Sequence, residues 1–332
     1  MLVVTDSIAA AQELLGKREL LGKRELLGKR ELPGKQELPG TPDWRDGLPP
    51  SFESSWLQLS EQLYHTEWLY HCEFDAPACW ESLFVVDHAI RSHFDLPLPS
   101  SSLTKRGGGI ICAARTGERF HGWHERSWTA LPGNLHLTCL LSPELPARGI
   151  GPAFQILAAV STLRTIDEFR ADSPAGIKWI NDLLLCDRKV GGVLARTQTQ
   201  GDILSRAVLG IGLNVQAGPA VPATPSVPRT GSLCTLLPSS GKLTTAAVFN
   251  SLLAHLADDY QLLKEGNAQQ LLDFYRERSL IIGREVILMD DRPDRPVTEI
   301  ARGRVTAIGD GLELYLDGRQ EPLREGRLIL SD

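Results

Sequence analysis

The sequence predicts a mixed α+β domain followed by a small all-β module. Segments with helical periodicity alternate with short apolar or alternating runs between residues 56 and 280, as expected of an α+β domain. After Gly283 the pattern changes to short alternating strands separated by turns, which is typical of a small β-barrel. A length of 332 residues suits one large and one smaller domain.

A six-residue repeat occupies the N-terminal region. ELLGKR occurs three times from Glu13 and is followed by ELPGKQ and ELPG, ending near Gly40. Six residues turn a helix through about 600°, so the leucine pairs of successive copies form no single apolar stripe. Each copy also contains a glycine, and later copies add Pro33 and Pro39, which disfavours a stable helix. Residues 1–55 are therefore predicted to be a disordered tail and linker, with a partner-binding segment as the alternative.

Five elements are predicted in the first half of the globular region. Residues 56–74 can hold a short helix and then a first strand. Residues 80–93 are predicted to form a helix, because Leu83, Val86 and Ala89 fall on one helical face. Residues 110–114 form a compact apolar run and residues 134–142 begin with alternation, so both are predicted strands.

The second half begins with a strong helix predicted over residues 152–169. Residues 177–196 suggest two strands joined in a hairpin at Asp187, and residues 207–215 a further strand. Residues 244–266 predict a long amphipathic helix that opens with a threonine cap, and a second helix follows at 268–279.

Composition argues against several classes of function. The net charge of −6 disfavours broad electrostatic binding to nucleic acid. The six cysteines are scattered without a CxxC pair, which indicates free thiols in a reducing compartment rather than a disulfide framework. The sequence contains no secretory signal and no run of roughly 18 apolar residues that could span a membrane. A cytoplasmic protein with neither a nucleic-acid nor a membrane partner is expected.

Residues 177–194 carry the densest set of ligand-binding groups. They include Lys178, Lys189, Asn181 and Asp182, together with a Gly-Gly pair. Lysine binds phosphate or carboxylate as a compact cation, and aspartate can orient an attacking amine. Paired glycines let backbone N–H groups come close to a ligand. By composition alone, a ligand site and a solvated hairpin are equally good interpretations.

The spacing of this segment resembles a known family. Lys178-Trp179-Ile180-Asn181-Asp182 and then Arg188-Lys189-Val190-Gly191-Gly192-Val193-Leu194 are similar to the KWxND and RKxxGxL signature of biotin–protein ligases, with isoleucine where proline is common. Residues 210–215 resemble the family's G-x-G-x-N strand, and residues 132–135 the turn and strand after its adenylate loop. The resemblance implies a catalytic domain over residues 56–280 and an SH3-like domain over residues 281–332.

The same resemblance implies the functional residues. Lys189 would neutralise the substrate carboxylate and the α-phosphate of ATP, while Lys178 and Asp182 would lie near the phosphate and the attacking lysine. The implied contacts to biotin and nucleotide are Gly122, Arg126, Trp128, Asn181, Gly192, Asn214, Arg119 and His121. Mg²⁺ is expected with ATP, and no residue is assigned as a metal ligand.

Two segments depart from the family pattern. The adenylate loop reads Gly-Arg-Gly-Arg-x-Gly-Arg-x-Trp in the family, and aligning its last residue with Trp128 leaves only Gly122, Arg126 and Trp128 in agreement. His121 and Trp123 replace two arginines, and the candidates for the missing charge are Arg115, Arg119, Lys105 and Arg106. The family's Ser-Thr-Asn triplet, which contacts the biotin ring, has no counterpart with hydroxyl groups at residues 75–78.

The implied activity is that of a biotin–protein ligase, which forms biotinyl-AMP from biotin and ATP and then biotinylates a lysine of a biotin carboxyl carrier domain. A homodimer is left open, and no winged helix that would indicate a repressor is visible in the sequence. Two alternatives remain: a non-catalytic ligand-binding homologue with a degraded adenylate loop, and a lipoate or octanoate transferase. A metal at His121 and His124 is a weaker interpretation, because no further ligand cluster accompanies that pair.

Overall fold

The computed structural model describes residues 1–16, 44–49, 54–66, 68–96, 108–170, 175–222, 224, 228–237, 243–292 and 296–330. Most of the hexapeptide repeat and part of the proline-rich linker lie outside these ranges, so their disorder stays a prediction. Within the described ranges the chain forms one large mixed sheet covered by helices and one smaller C-terminal sheet, which confirms the predicted α+β class.

The large sheet has eleven strands. In chain order they are β1 (Leu2–Thr5), β2 (Arg45–Asp46), β3 (Tyr70–Glu73), β4 (Trp80–Ala89), β5 (Gly109–Gly117), β6 (Leu135–Leu141), β7 (Leu145–Pro146), β8 (Gly176–Lys178), β9 (Asp182–Leu185), β10 (Arg188–Gln200) and β11 (Ile203–Leu213). Their order across the sheet is β2-β3-β1-β4-β5-β6-β11-β10-β9-β8, and β7 pairs separately with β11. Strand β4 runs parallel to both β1 and β5, and the other pairs are antiparallel.

Helices cover both faces of this sheet. They are α1 (Ile8–Leu15), α2 (Ser54–Leu63), α3 (Ala153–Phe169), α4 (Leu233–Leu236), α5 (Thr245–Lys264) and α6 (Ala268–Glu277). Helices α1, α3, α5 and α6 share one apolar core with the sheet, and α2 packs in a second core on the opposite face. The predicted helices at 152–169 and 244–266 are confirmed, and the Thr244 hydroxyl caps α5 by accepting from the Ala247 backbone N–H at 3.1 Å.

The prediction of a disordered tail over residues 1–55 is wrong for the first sixteen residues, which form a strand and a helix. Strand β1 pairs with both β3 and β4, and Val3 and Val4 are fully buried. Helix α1 begins after Ser7, whose side chain caps it, and ends at Gly16 in a left-handed conformation with φ of 83°. A short apolar run of β-branched residues forms a strand here because two distant strands offer it backbone partners on both sides.

The prediction of a helix over residues 80–93 is wrong, because most of this segment forms strand β4. The apolar positions Leu83, Val86 and Ala89 are all buried, yet Phe84 and Val85 between them are buried as well. The strand lies between β1 and β5 with both faces covered, so its apolar run is continuous rather than alternating. Three apolar residues at helical spacing within such a run therefore do not distinguish a helix from a buried strand.

The C-terminal region forms a four-stranded antiparallel sheet in the order β14-β13-β12-β15. Its strands are β12 (Glu285–Asp290), β13 (Thr298–Ile308), β14 (Leu314–Leu316) and β15 (Arg327–Leu330). The predicted all-β module is thus present, and its closure into an SH3-like barrel stays a prediction. The indole of Trp179 donates to the Leu312 carbonyl at 2.7 Å, which fixes the module against the segment between β8 and β9.

Two further expectations concern the whole chain. The six cysteines are all free thiols, as their scattered spacing predicted. Among the residues that the structure describes, no helix combines the length and the apolar character needed to cross a bilayer.

Candidate active site

A cavity of about 400 Å³ lies against the middle of the large sheet. Its floor is formed by His136 and Thr138 on β6 and by Gly210 and Gly212 on β11. Side chains alternate between the faces of a strand, so these even-numbered positions share the face that carries the core containing α2. The cavity therefore opens on the face opposite to α3 and α5.

The roof of the cavity is the loop between β5 and β6, which contains the altered adenylate motif. Within it, Gly122 N–H donates to the Arg126 carbonyl at 2.7 Å, and Trp128 N–H donates to the Phe120 carbonyl at 2.8 Å. His124 and Glu125 have φ values of 54° and 56°, in the left-handed region. These contacts fold residues 120–128 back on themselves, and we call this segment the roof loop.

Strands β8, β9 and β10 bring the charged groups of the KWxND and RKxxGxL segments to one side of the cavity. The register pairs Lys178 with Asp182 across β8 and β9, and Gly192 with Asp182 across β9 and β10. Lys189 Nζ lies 2.6 Å from Asp182 Oδ1, and it lies 5.9 Å from the ring centre of Trp128 in the roof loop. The hairpin predicted from the sequence is thus a three-stranded meander whose register joins both halves of the motif.

The side chain of Lys178 is almost completely buried, with 4% of its surface exposed. Burial lowers its pKa to about 8, and the positive charges of Lys189 and Arg327 add to this effect while Asp182 opposes it. Lys178 therefore still carries a positive charge at pH 7 but loses it close to the physiological range.

Glycines at the cavity wall make room for aromatic rings. A Cβ atom on Gly212 would lie 2.6 Å from the indole of Trp128, so this strand position accepts the ring only as glycine. The Trp128 indole N–H donates to His136 Nδ1 at 3.2 Å, and His136 Nε2 lies 3.0 Å from the Leu131 carbonyl, to which it donates. Burial lowers the pKa of His136 to about 4, in agreement with this neutral tautomer.

Two cationic side chains of the roof loop are paired with carboxylates. His121 Nε2 lies 2.7 Å from Asp95, and its Nδ1 lies 3.1 Å from the Gly122 carbonyl. Both ring nitrogens face acceptors, so the geometry favours the imidazolium form. Burial opposes protonation of His121, but the hydrogen bonds to Gly122 and Asp95 raise its pKa overall. Arg126 donates to both oxygens of Asp291 in the C-terminal module, at 2.8 and 2.6 Å.

The structure brings most of the residues predicted from the sequence to this cavity. Those that line it are Gly122, Arg126, Trp128, His121, Asn181, Asp182, Lys189 and Gly192. Asn214 is buried beside it, where its side-chain amide donates to the Gly231 carbonyl at 3.1 Å. Arg119 does not line the cavity and has a φ of 50°, so the structure offers no support for it as the source of the missing charge.

Several lining residues were not predicted. Both Ser92 and Phe94 follow β4, Ser92 near the end of the segment that was predicted to be a helix and Phe94 just beyond it, so no signal marked them. Thr138 and His136 could have been found, because they alternate with buried leucines along β6. Arg327 comes from β15 and reaches the cavity only through the docking of the C-terminal module.

A second cavity of about 250 Å³ adjoins the first. The lining residues that the two share are Trp123, Arg126, Asn181, Asp182, Leu194 and Arg327. The second is completed by Lys178, by the start of α3 and by Arg324, Glu325 and neighbouring residues of the C-terminal module. Asp182 and Arg126 therefore stand where two compartments meet, one against the sheet and one against the module.

Comparison with known proteins finds a family model and curated relatives that are similar to part of this chain. Residues 103–214 match the model of the biotin/lipoate A/B protein ligase family. Over 112 residues the chain is 33% identical to the bifunctional ligase/repressor BirA of Bacillus subtilis, and over 108 residues it is 34% identical to that of Bacillus spizizenii. These matches cover about a third of this chain and about a third of the length of the curated relatives. The resemblance drawn from the motifs is confirmed.

The fold is also similar to that of solved ligases. A biotin protein ligase from Aquifex aeolicus, in complex with biotin and ATP, matches with a TM-score of 0.55 and 17% identity over 75% of this chain and 98% of the other. The apo structure of the Aquifex aeolicus enzyme matches with a TM-score of 0.53 over the same shares of the two chains. At these identities the comparison shows a biotin ligase-like fold.

Proposed function

Because the chain carries a biotin/lipoate ligase family segment at its cavity, we propose that it is an ATP-dependent biotin–protein ligase. The observation that carries the proposal is the position of Lys189, which faces the same cavity as Gly192 and the roof loop and lies 2.6 Å from Asp182. We also propose that residues 56–280, extended by the first sixteen residues, form the catalytic domain, and residues 281–332 an SH3-like domain.

In the first step, a biotin carboxylate oxygen attacks the α-phosphorus of ATP and pyrophosphate leaves with the electrons of the broken P–O bond. The attack brings an anion onto a polyanion, so it needs positive charge at the point where the two meet. Lys189 would supply that charge, Lys178 would hold the phosphates from the second cavity, and Gly192 would contact biotin through its backbone. Mg²⁺ would arrive with the phosphates of ATP, because this ion usually binds through substrate phosphates and waters together with one or two carboxylates.

In the second step, the ε-amine of an acceptor lysine attacks the acyl carbon of biotinyl-AMP and AMP leaves. The incoming ammonium group must first lose a proton, and a carboxylate beside the reaction centre can accept it. Asp182 has this position, since it stands where the two cavities meet. The acceptor would be a biotin carboxyl carrier domain in a reducing, cytoplasmic compartment, and the free cysteines agree with that compartment.

A non-catalytic ligand-binding protein is the second candidate function. It is favoured by the roof loop, in which His121 and Trp123 replace two arginines of the family loop and the His121 side chain is paired with Asp95 rather than open to a phosphate. Such a protein would keep the cavity and bind an acid without activating it. A lipoate or octanoate transferase would use the same fold with a different acid.

The deciding experiment is exchange of labelled pyrophosphate into ATP by the full-length protein, with biotin, lipoate or octanoate in turn. Exchange that depends on biotin and is abolished in Lys189→Ala is expected. The matched control is Arg188→Ala, which removes the neighbouring exposed cation and should leave exchange intact. Biotin binding without exchange would favour the non-catalytic candidate. Exchange that occurs with lipoate or octanoate but not with biotin would mean that one of those acids, and not biotin, is the substrate.

A further inference from the structure

An ion bridge of three residues connects the roof loop to the C-terminal module. Arg126 donates through Nη2 to both oxygens of Asp291, at 2.8 and 2.6 Å. Arg327 donates through Nη1 to Asp291 Oδ2 at 2.9 Å. Both guanidinium groups line both cavities, so a single carboxylate joins two cations where the compartments meet.

The position of Asp291 is fixed by the sheet of the module. It directly follows β12, and the β12 residue Met289 pairs with Arg327 at the start of β15. Its side chain is mostly buried, with 10% exposed, whereas that of Arg126 is 39% exposed. The carboxylate is therefore on the buried side of the bridge, and the arginine of the roof loop is on its more exposed side.

The two arginines keep donors that the bridge does not use. A guanidinium group has five N–H donors, and Arg126 uses those of Nη2 while Arg327 uses one of Nη1. Arg327 Nε is buried and has no hydrogen-bond partner within the described ranges. Two cations and one carboxylate leave a surplus positive charge here, and the buried Lys178 of the second cavity adds to it. This arrangement suits an anion with several oxygens, such as a phosphate chain.

We propose that Asp291 is a positioning residue, which assembles Arg126 and Arg327 into one binding pair for the phosphates of the nucleotide. This inference rests on the proposed function for the identity of its ligand. Without the carboxylate the two guanidinium groups repel each other, and Arg126 follows the roof loop towards solvent. The C-terminal module thereby sets the position of an arginine that belongs to the catalytic part of the chain.

The test is Asp291→Asn, which keeps the shape of the side chain and removes its charge. Calorimetry with inorganic pyrophosphate should show binding weakened by about tenfold, as expected for the loss of one charge-assisted contact. In the exchange reaction, KM for ATP should rise by a similar factor while KM for biotin is unchanged. The matched control is Asp310→Asn, because Asp310 forms another ion pair between the module and the catalytic part, with Arg276 at 2.8 Å, away from both cavities.

A double variant separates positioning from general damage to the fold. Arg126→Ala and Asp291→Asn together should bind pyrophosphate no more weakly than Arg126→Ala alone, because the carboxylate acts by joining that arginine to Arg327 and has no pair to assemble once the arginine is gone. Additive losses, unchanged binding in Asp291→Asn, or tighter binding would overturn the inference, and so would a wild-type protein that does not bind pyrophosphate. Pyrophosphate binding with no exchange by any acid would count against the proposed function alone.

Discussion

The β8–β10 meander and the roof loop face the same cavity, but they hold their side chains by different means. Lys178, Asp182 and Lys189 stand on strands whose register sets their spacing. His121 and Arg126 stand on a loop with left-handed residues, and each is held by a carboxylate from another part of the chain. The family pattern is intact on the meander and mostly lost on the loop.

The difference indicates how such a site can change while its fold is retained. The strand register sets where the backbone of such a lysine lies, so the lysine stays beside the cavity when a neighbouring side chain changes. A loop arginine depends on what surrounds it, and replacing it by histidine or tryptophan changes both charge and reach. We therefore expect substitutions on the meander to affect the chemical steps, and substitutions on the loop to affect how long ligands stay.

The largest effect is expected for Asp182→Asn on the meander. Loss of the carboxylate removes both the partner of Lys189 and the proposed proton acceptor, so transfer to the acceptor lysine should fall by about 100-fold or more. Single-turnover transfer from preformed biotinyl-AMP measures this step. Asp187→Asn is the control, since Asp187 has a φ of 56° that asparagine also tolerates and lies in the β9–β10 turn. Equal losses in both variants would contradict the role.

A second prediction concerns the contact between the two regions. Gly212→Ala places a methyl group 2.6 Å from the Trp128 indole, so the ring must move and the roof loop with it. Overpacking of this kind costs about 1–3 kcal/mol, and we expect biotin binding to weaken by about tenfold. Titration calorimetry and thermal unfolding measure the two effects. An unchanged affinity for biotin would show that the position of the Trp128 ring does not affect the biotin site.

The pH dependence of the exchange reaction tests Lys178. Its pKa is lowered to about 8, so the side chain is charged below that pH and neutral above it. If the charge holds the phosphates, exchange should decline as the pH rises through about 8, by up to tenfold for each pH unit. Lys178→Arg keeps the charge and should remove the decline, whereas an unaltered profile in this variant would assign the decline to another group.

The smallest effect is expected for His121→Arg, which restores one residue of the family loop. Arginine can keep the contact with Asp95 and stays charged at every accessible pH, so ATP binding should tighten by only about threefold. The informative measurement is the release rate of biotinyl-AMP, which should fall slightly. Faster release would mean that the imidazolium of His121 holds the loop better than an arginine does.

The sequence predicts the parts of this molecule that carry a local signal. Helices α3 and α5 show clear periodicity, Thr244 marks a cap, and the spacing from Lys178 to Gly192 identifies the motif, although it predicts a two-stranded hairpin and not the third strand, β8. Residues that meet through tertiary contacts leave no such signal. The sequence of strand β4 resembles that of a helix because both faces of the strand are buried. Arg327 reaches the cavity from a region more than 130 residues away from Lys189 in the chain.

Strand β1 has a consequence for how this protein can be shortened. Because β1 lies between β3 and β4, removing the first sixteen residues together with the repeats would leave two inner strand edges without backbone partners. Such exposed edges pair readily with other chains, so the shortened protein would tend to aggregate. A deletion within residues 17–43 keeps β1 and α1, provided that the residues left between Gly16 and Trp44 are enough to span the distance between those two positions.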